Sequence, residues 1–181
     1  MRVSKEKAAE NRERILTEAA RLFREHGLSG VGVDALTHAA GLTHGSLYSQ
    51  FGSKDRLAEA AMEHALTTSS ARMRDAATLE EYVGRYLSED HRDRRGDGCV
   101  MAALAGEMPR QAGGIRNGFT DAVRALAKRI SGFLPRRRET EDEALAIVAT
   151  LLGALTLARA VDDPNLSDRI LAAARRRLKS P

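Results

Sequence analysis

The sequence predicts an all-α protein, and three observations carry that prediction. Ala, Leu, Arg and Glu dominate the 181 residues, and such side chains lose little rotamer freedom on a helix. Only four prolines interrupt the chain, and alternating runs of β-branched residues are absent. Apolar residues recur at helical spacing instead: Ile115, Phe119, Val123, Leu126, Ile130 and Phe133 step by three or four. Hydrophobic residues make up 43% of the chain, enough for a sizeable core, and about nine helices are expected.

The first helix is expected from about Glu6 to His26, with Ile15, Ala19, Leu22 and Phe23 as its buried stripe and Gly27 as its stop. A loop follows over 28–32. The second helix starts near Val33, with Asp34 in the first turn where a carboxylate favours the helix dipole, and ends at Gly41. The third starts after Thr43, a good N-cap, and runs to about Gln50. Phe51-Gly52 closes it, and Ser53 caps a longer helix over Lys54–Ala76. Further helices are expected at Leu79–Ser88, Val100–Met108, Ile115–Leu134, Glu141–Val161 and Leu166–Leu178. The polar stretch Glu89–Gly98 reads as a loop or lid, and 111–114 and 135–140 read as breaks. The division expected is a three-helix domain over 1–52 joined to a helical domain over 53–181.

No apolar run comes near the ~18 residues that a membrane span needs, and the stretch from Ala144 to Ala160 reads as a buried helix. The charged start, MRVSKEKAAENRER, lacks a signal-peptide core. The single cysteine, Cys99, excludes an internal disulfide and fits a reducing cytoplasm. No membrane partner is therefore expected. No phosphate-cradling glycine loop and no metal-ligand spacing is present, so neither cofactor nor metal is expected.

Net charge is +4 with a pI near 9.6, but residues 1–60 hold nine Lys/Arg against eight Asp/Glu, a balance of only +1. Placement is more telling. From Ala35 to Lys54 there is no carboxylate, as a surface lying against phosphate requires. Arg2, Lys5, Lys7 and Arg12 fit either a minor-groove arm or a solvated terminus, since Glu6, Glu10 and Glu13 interleave with them.

The segment VDALTHAAGLTHGSLYSQF, Val33–Phe51, has two helices of about two turns joined by a tight turn at Gly41, the helix-turn-helix pattern. Leu36 and Ala40 are expected to face Leu47, with Leu42 in the angle between the helices. Thr43, His44, Gly45, Ser46 and Ser49 are outward, small or polar residues, suited to a helix whose N-terminal end enters a major groove.

Ala19/Leu22/Phe23 before Gly27, Ala39-Ala40-Gly41-Leu42, Gly45-Ser46-Leu47-Tyr48, Phe51 and Ser53-Lys54-Asp55 stand in one register over about fifty residues. The segment containing them resembles the TetR/AcrR family of one-component regulators. The resemblance implies that Thr43, His44, Gly45 and Ser46 meet base edges or the groove wall, and that Tyr48 and Lys54 contact phosphate. It implies a homodimeric, cytoplasmic repressor, not an enzyme, released from a palindromic double-stranded operator by a small-molecule effector. One departure is Gly32, standing where the family usually has a Ser or Thr that caps the second helix.

The remaining ~130 residues resemble the family's effector region more loosely. Met62, Leu66, Met73, Tyr82 and Tyr86 are candidates to line an effector cavity, or simply to fill the core. The same two readings apply to Met101, Leu104, Met108 and Phe119. The segment Gly98-Cys99 to Leu104, with Glu107, is similar to one branch of the family, in which some members look like electrophile or redox sensors. Arg92, Arg94 and Arg95 and a helix N-terminus near Cys99 would raise thiol reactivity; packing is the alternative role. The last two helices, about 141–161 and 166–178, are expected to form the dimer interface, because the first is apolar nearly all round. Competing readings are an activator or nucleoid-type binder, a helical dimer that ignores DNA, and an enzyme with Cys99 as nucleophile and His91 or His64 as base.

Overall fold

The computed structural model describes residues 5–69, 73, 75–111 and 113–179. Ten α-helices and no strand occur among the described residues. They are α1 (Lys5–His26), α2 (Val33–Ala39), α3 (His44–Phe51), α4 (Lys54–Ser69), α5 (Leu79–Tyr86), α6 (Glu89–Asp93), α7 (Val100–Leu104), α8 (Gly113–Ser131), α9 (Thr140–Ala160) and α10 (Pro164–Lys179). Two 3₁₀ turns, Arg95–Asp97 and Ala105–Arg110, flank α7.

The apolar residues form two clusters. The first gathers Ile15, Ala19 and Phe23 of α1 with Leu36, Leu47 and Phe51 of the next two helices, and includes Leu57, Ala61 and Ala65 of α4. The second is built on Ile130 of α8, Leu151 and Leu155 of α9, and Leu171 of α10, closed by Tyr82 and Val83 of α5. The first cluster does not stop at residue 52: Val100, Leu104, Met108 and Ile115 also pack in it.

Differences from the sequence expectations have local causes. Lys5 opens α1, Lys7 pairs with Glu10, and the Arg12 guanidinium lies 4.5 Å from the centre of the Phe51 ring. From Lys5 onward the segment is therefore helix rather than a groove-reaching arm; Arg2 lies outside the described residues. The expected helix over Lys54–Ala76 is described as α4 only to Ser69, and 70–72 and 74 lie outside the described residues. The expected helix 100–108 is an α-helical turn followed by the 3₁₀ stretch that contains Pro109, a residue with no amide to continue an α-helix.

The stretch Glu89–Gly98 is not a loose lid. Ser88 caps α6, its hydroxyl accepting from the His91 amide at 3.1 Å. Arg159 of α9 donates to the His91 and Arg92 carbonyls at 2.6 and 3.0 Å. Arg92 donates to Ser167 and Asp168 of α10, and Arg24 of α1 to the Gly96 carbonyl. The segment is pinned from three sides.

By length and a mean hydropathy of 1.6, α9 passes for a membrane span, contrary to the expectation that no segment does. Its residues Ala144, Ile147, Val148, Leu151, Ala154, Leu155 and Ala158 are buried in the second cluster. Leu145 and Leu157 on its other side are 42% and 56% exposed.

Candidate nucleic-acid interface and ligand cavity

The short helices α2 and α3 are held by their inner residues. Leu36, Ala40 and Leu47 are each 1% exposed, and Leu42 packs beside them. Gly41, at φ +62°, makes the turn in the left-handed region that disfavours a side chain. Thr43 caps α3, its hydroxyl accepting from the Ser46 amide at 3.3 Å. Gly32 leaves α2 without a side-chain cap, and Thr37 instead donates back to the Val33 and Asp34 carbonyls.

With one side fixed inward, the other is left to solvent. Thr43, His44, Gly45 and Ser49 are exposed, and Ser46 is partly so. Tyr48 is 49% exposed, which sets it apart from the buried Leu47 and Phe51 on either flank. Lys54 is partly exposed at the start of α4, where Ser53 accepts from the Arg56 amide. These seven candidates thus occupy one continuous stretch of chain at a protruding helix and the helix start behind it. The sequence did not show that Asp34, the last carboxylate before the acid-free stretch, would contact the His44 imidazole across the turn.

A cavity of about 1030 Å³ lies between α4 and α8 and ends against α5 and Cys99. Six of the expected residues line it, Met62, Leu66, Met73, Tyr82, Tyr86 and Met101, together with Cys99. Three do not. Leu104 and Met108 point into the first apolar cluster, and Phe119 lies partly buried between the two clusters. The cavity also reaches Gln50 and Phe51 at the end of α3, and Arg12 and Arg56 beside them. Sequence reasoning missed this wall. The available signal was the stripe of small residues, Gly114, Gly118, Ala122 and Ala125, along one face of α8.

Cys99 is 8% exposed and precedes α7. The arginines expected to activate it are engaged elsewhere: Arg92 with Asp93 and Asp168, Arg94 with Asp90 and Asp97, Arg95 with the Arg159 carbonyl. Hydrogen bonds donated to Asp93 and Asp168 hold the Arg92 guanidinium firmly charged, and the Asp93 carboxyl in turn falls below its usual range. His91 accepts from the Cys99 amide at Nε2, at 2.9 Å, so its proton sits on Nδ1 and is donated to the Tyr86 carbonyl at 2.6 Å. With both nitrogens bound to backbone, this ring is not placed as a base for the thiol. His64 lies with Thr17 and Glu13 on the α1 side of α4.

Glu107, in the 3₁₀ turn after α7, accepts from the Leu28 and Ser29 amides at 3.1 and 3.3 Å. This carboxylate ties the cavity-bearing half to the loop that leads into α2.

Residues 15–61 match the sequence model of bacterial regulatory proteins of the tetR family. That stretch, from α1 into α4, is similar to the N-terminal segment of tetR-family regulators. No functionally curated protein matches it in sequence. Solved structures extend the likeness over the whole TetR-like fold. A TetR regulator from Chloroflexus aurantiacus superposes with a TM-score of 0.79 at 21% identity, over 97% of each chain. A TetR-family regulator from Cytophaga hutchinsonii gives 0.78 at 21%, over 99% of this chain and 97% of that one. E. coli NemR in its reduced form gives 0.76 at 20%, over 94% and 95%. At such identities the likeness beyond the TetR-family match shows the fold alone. TetR-family proteins are DNA-binding regulators of transcription, and α2 and α3 lie within the matched stretch.

Proposed function

We propose that the chain is a homodimeric transcriptional repressor released from a palindromic operator when a small molecule fills the α4–α8 cavity. One observation carries this reading: the residues that end the DNA-facing helix, Gln50 and Phe51, are also a wall of the cavity. An occupant therefore presses on the base of α3 without an intermediary, and can favour one placement of the reading helix over another. Thr43, His44, Gly45, Ser46 and Ser49 are assigned to the groove, and Tyr48 and Lys54 to phosphate.

The dimer is assigned to α9 and α10. Leu145, Leu157 and Leu166 expose apolar surface there, and the same face of a second copy covers it in an isologous four-helix contact. Two readers then meet half-sites about 34 Å apart. No catalytic role is assigned, and the working compartment is the cytoplasm.

The test is selection of bound sequences from random duplex DNA. The expected outcome is a near-palindromic site. Tyr48→Phe and Lys54→Ala should weaken all sequences alike, the latter reducing the salt slope by about one. His44→Ala should change which sequence is preferred. A purified dimer indifferent to every duplex at low salt ends the proposal.

A further inference from the structure

The inner end of the cavity has a polar group without an evident purpose. Tyr86 lines it and is 2% exposed, and its hydroxyl has no hydrogen-bond partner among the described residues. The Cys99 thiol adjoins it, but a thiol is a weak partner for a phenol. Burial, with Cys99 nearby, holds the phenol protonated well above its ordinary range, so its proton has at most the Cys99 sulfur, a weak acceptor, and no oxygen or nitrogen acceptor. A buried hydroxyl left in that state is rare and destabilising.

The surroundings define what can supply the acceptor. Arg129 reaches the same end, but it donates to the Met73 carbonyl and lies 5.4 Å from the centre of the Tyr82 ring. Asp97 is bound by Arg94, and His91 is bound at both nitrogens. Arg129, Asp97 and His91 are thus each already engaged, while Met62, Leu66, Met101 and Leu126 supply apolar wall. Along α8 the lining runs from Gly114 to Arg129, a rise of about 22 Å. The cavity is long as well as large.

We propose that the cavity takes an uncharged, elongated and largely apolar molecule carrying an oxygen acceptor, which hydrogen-bonds the Tyr86 hydroxyl at the inner end. This rests on the reading of the cavity as the effector site, and it specifies the chemistry of that effector. Cys99 stands beside Tyr86 on the same wall, so an occupant seated in this way shields the thiol.

Nile red, an uncharged planar dye with a carbonyl, and pyrene, of similar shape without oxygen, test this on the full chain. Nile red should bind the wild type, and Tyr86→Phe should weaken it about tenfold, as loss of one buried hydrogen bond implies. Pyrene should bind both proteins equally. Nile red should also slow N-ethylmaleimide labelling of Cys99. A Cβ at Gly118 meets open space, so Gly118→Leu should keep the fold while weakening both dyes at least tenfold. Equal Nile red affinity for wild type and Tyr86→Phe overturns the proposal. So does an equal loss of pyrene in Tyr86→Phe, an unchanged labelling rate, or undiminished binding in Gly118→Leu. Release of the selected operator is measured separately. A Tyr86-dependent dye that never affects DNA ends the repressor reading and leaves this one standing; release without Tyr86 dependence does the reverse.

Discussion

The short helices α2 and α3 and the cavity are built on opposite plans. The first is continuous in sequence: twenty-odd residues place an inner row of Leu36, Ala40 and Leu47 and an outer row from Thr43 to Ser49, and the two rows follow directly from helical period. The cavity is discontinuous, drawing Phe51 from α3, Met62 from α4, Tyr86 from α5, Cys99 before α7 and Gly118 from α8. A surface made by one helix tolerates changes to its outward residues one at a time. A space lined by so many separate elements depends on how all of them pack.

The sharpest way to break this comparison is to attack the inner row. Leu47→Ala removes a side chain that is 1% exposed from between α2 and α3, and should destabilise the protein by about 2–5 kcal/mol, seen as a lower denaturation midpoint. If stability were unchanged, α3 would not be held by that row.

A smaller effect tests the link between the two regions. Glu107→Ala removes the acceptor for the Leu28 and Ser29 amides and should cost about 1–3 kcal/mol. Hydrogen exchange at those two amides should speed up while exchange in α9 stays slow. Uniform acceleration through the chain would show that Glu107 acts on global stability alone. Gly41→Ala places a methyl at φ +62° and should cost about 1–2 kcal/mol, without altering dye binding in the cavity.

The least effect is confined to alkaline pH. Burial raises the Tyr82 and Tyr86 phenols above the ordinary value of 10, so above pH 10 the unfolded chain loses protons that the folded one keeps. Their contribution is complete below pH 10 and declines as pH rises beyond it. Tyr86→Phe should make the stability curve flatter there than in wild type; identical slopes would contradict burial of that phenol.

Legibility followed the same division. Helical period, the turn at Gly41 and the cap at Thr43 are local, so the all-α class, the position of α3 and its exposed residues could be read from the sequence. Leu104 and Met108 could not be separated from Met101, because an apolar residue on a short helix does not disclose which of two cores it enters. The pinned segment 89–98 was equally opaque: its polar residues read as loop, whereas their partners Arg24, Arg159 and Ser167 lie about seventy positions away. The Asp34–His44 contact crosses a turn whose angle only the packed fold defines.

The grip of Glu107 on the loop after α1 falls on main-chain amides. It follows the path of the chain and is blind to which side chains that path carries, so the exposed position 29 can drift in sequence without loosening it, whereas Leu28 is also held by the first cluster. Position 27 has no such freedom. A methyl group there would collide with the carboxylate, and its backbone already lies at φ +79°, so one glycine answers to both a turn and a distant acid.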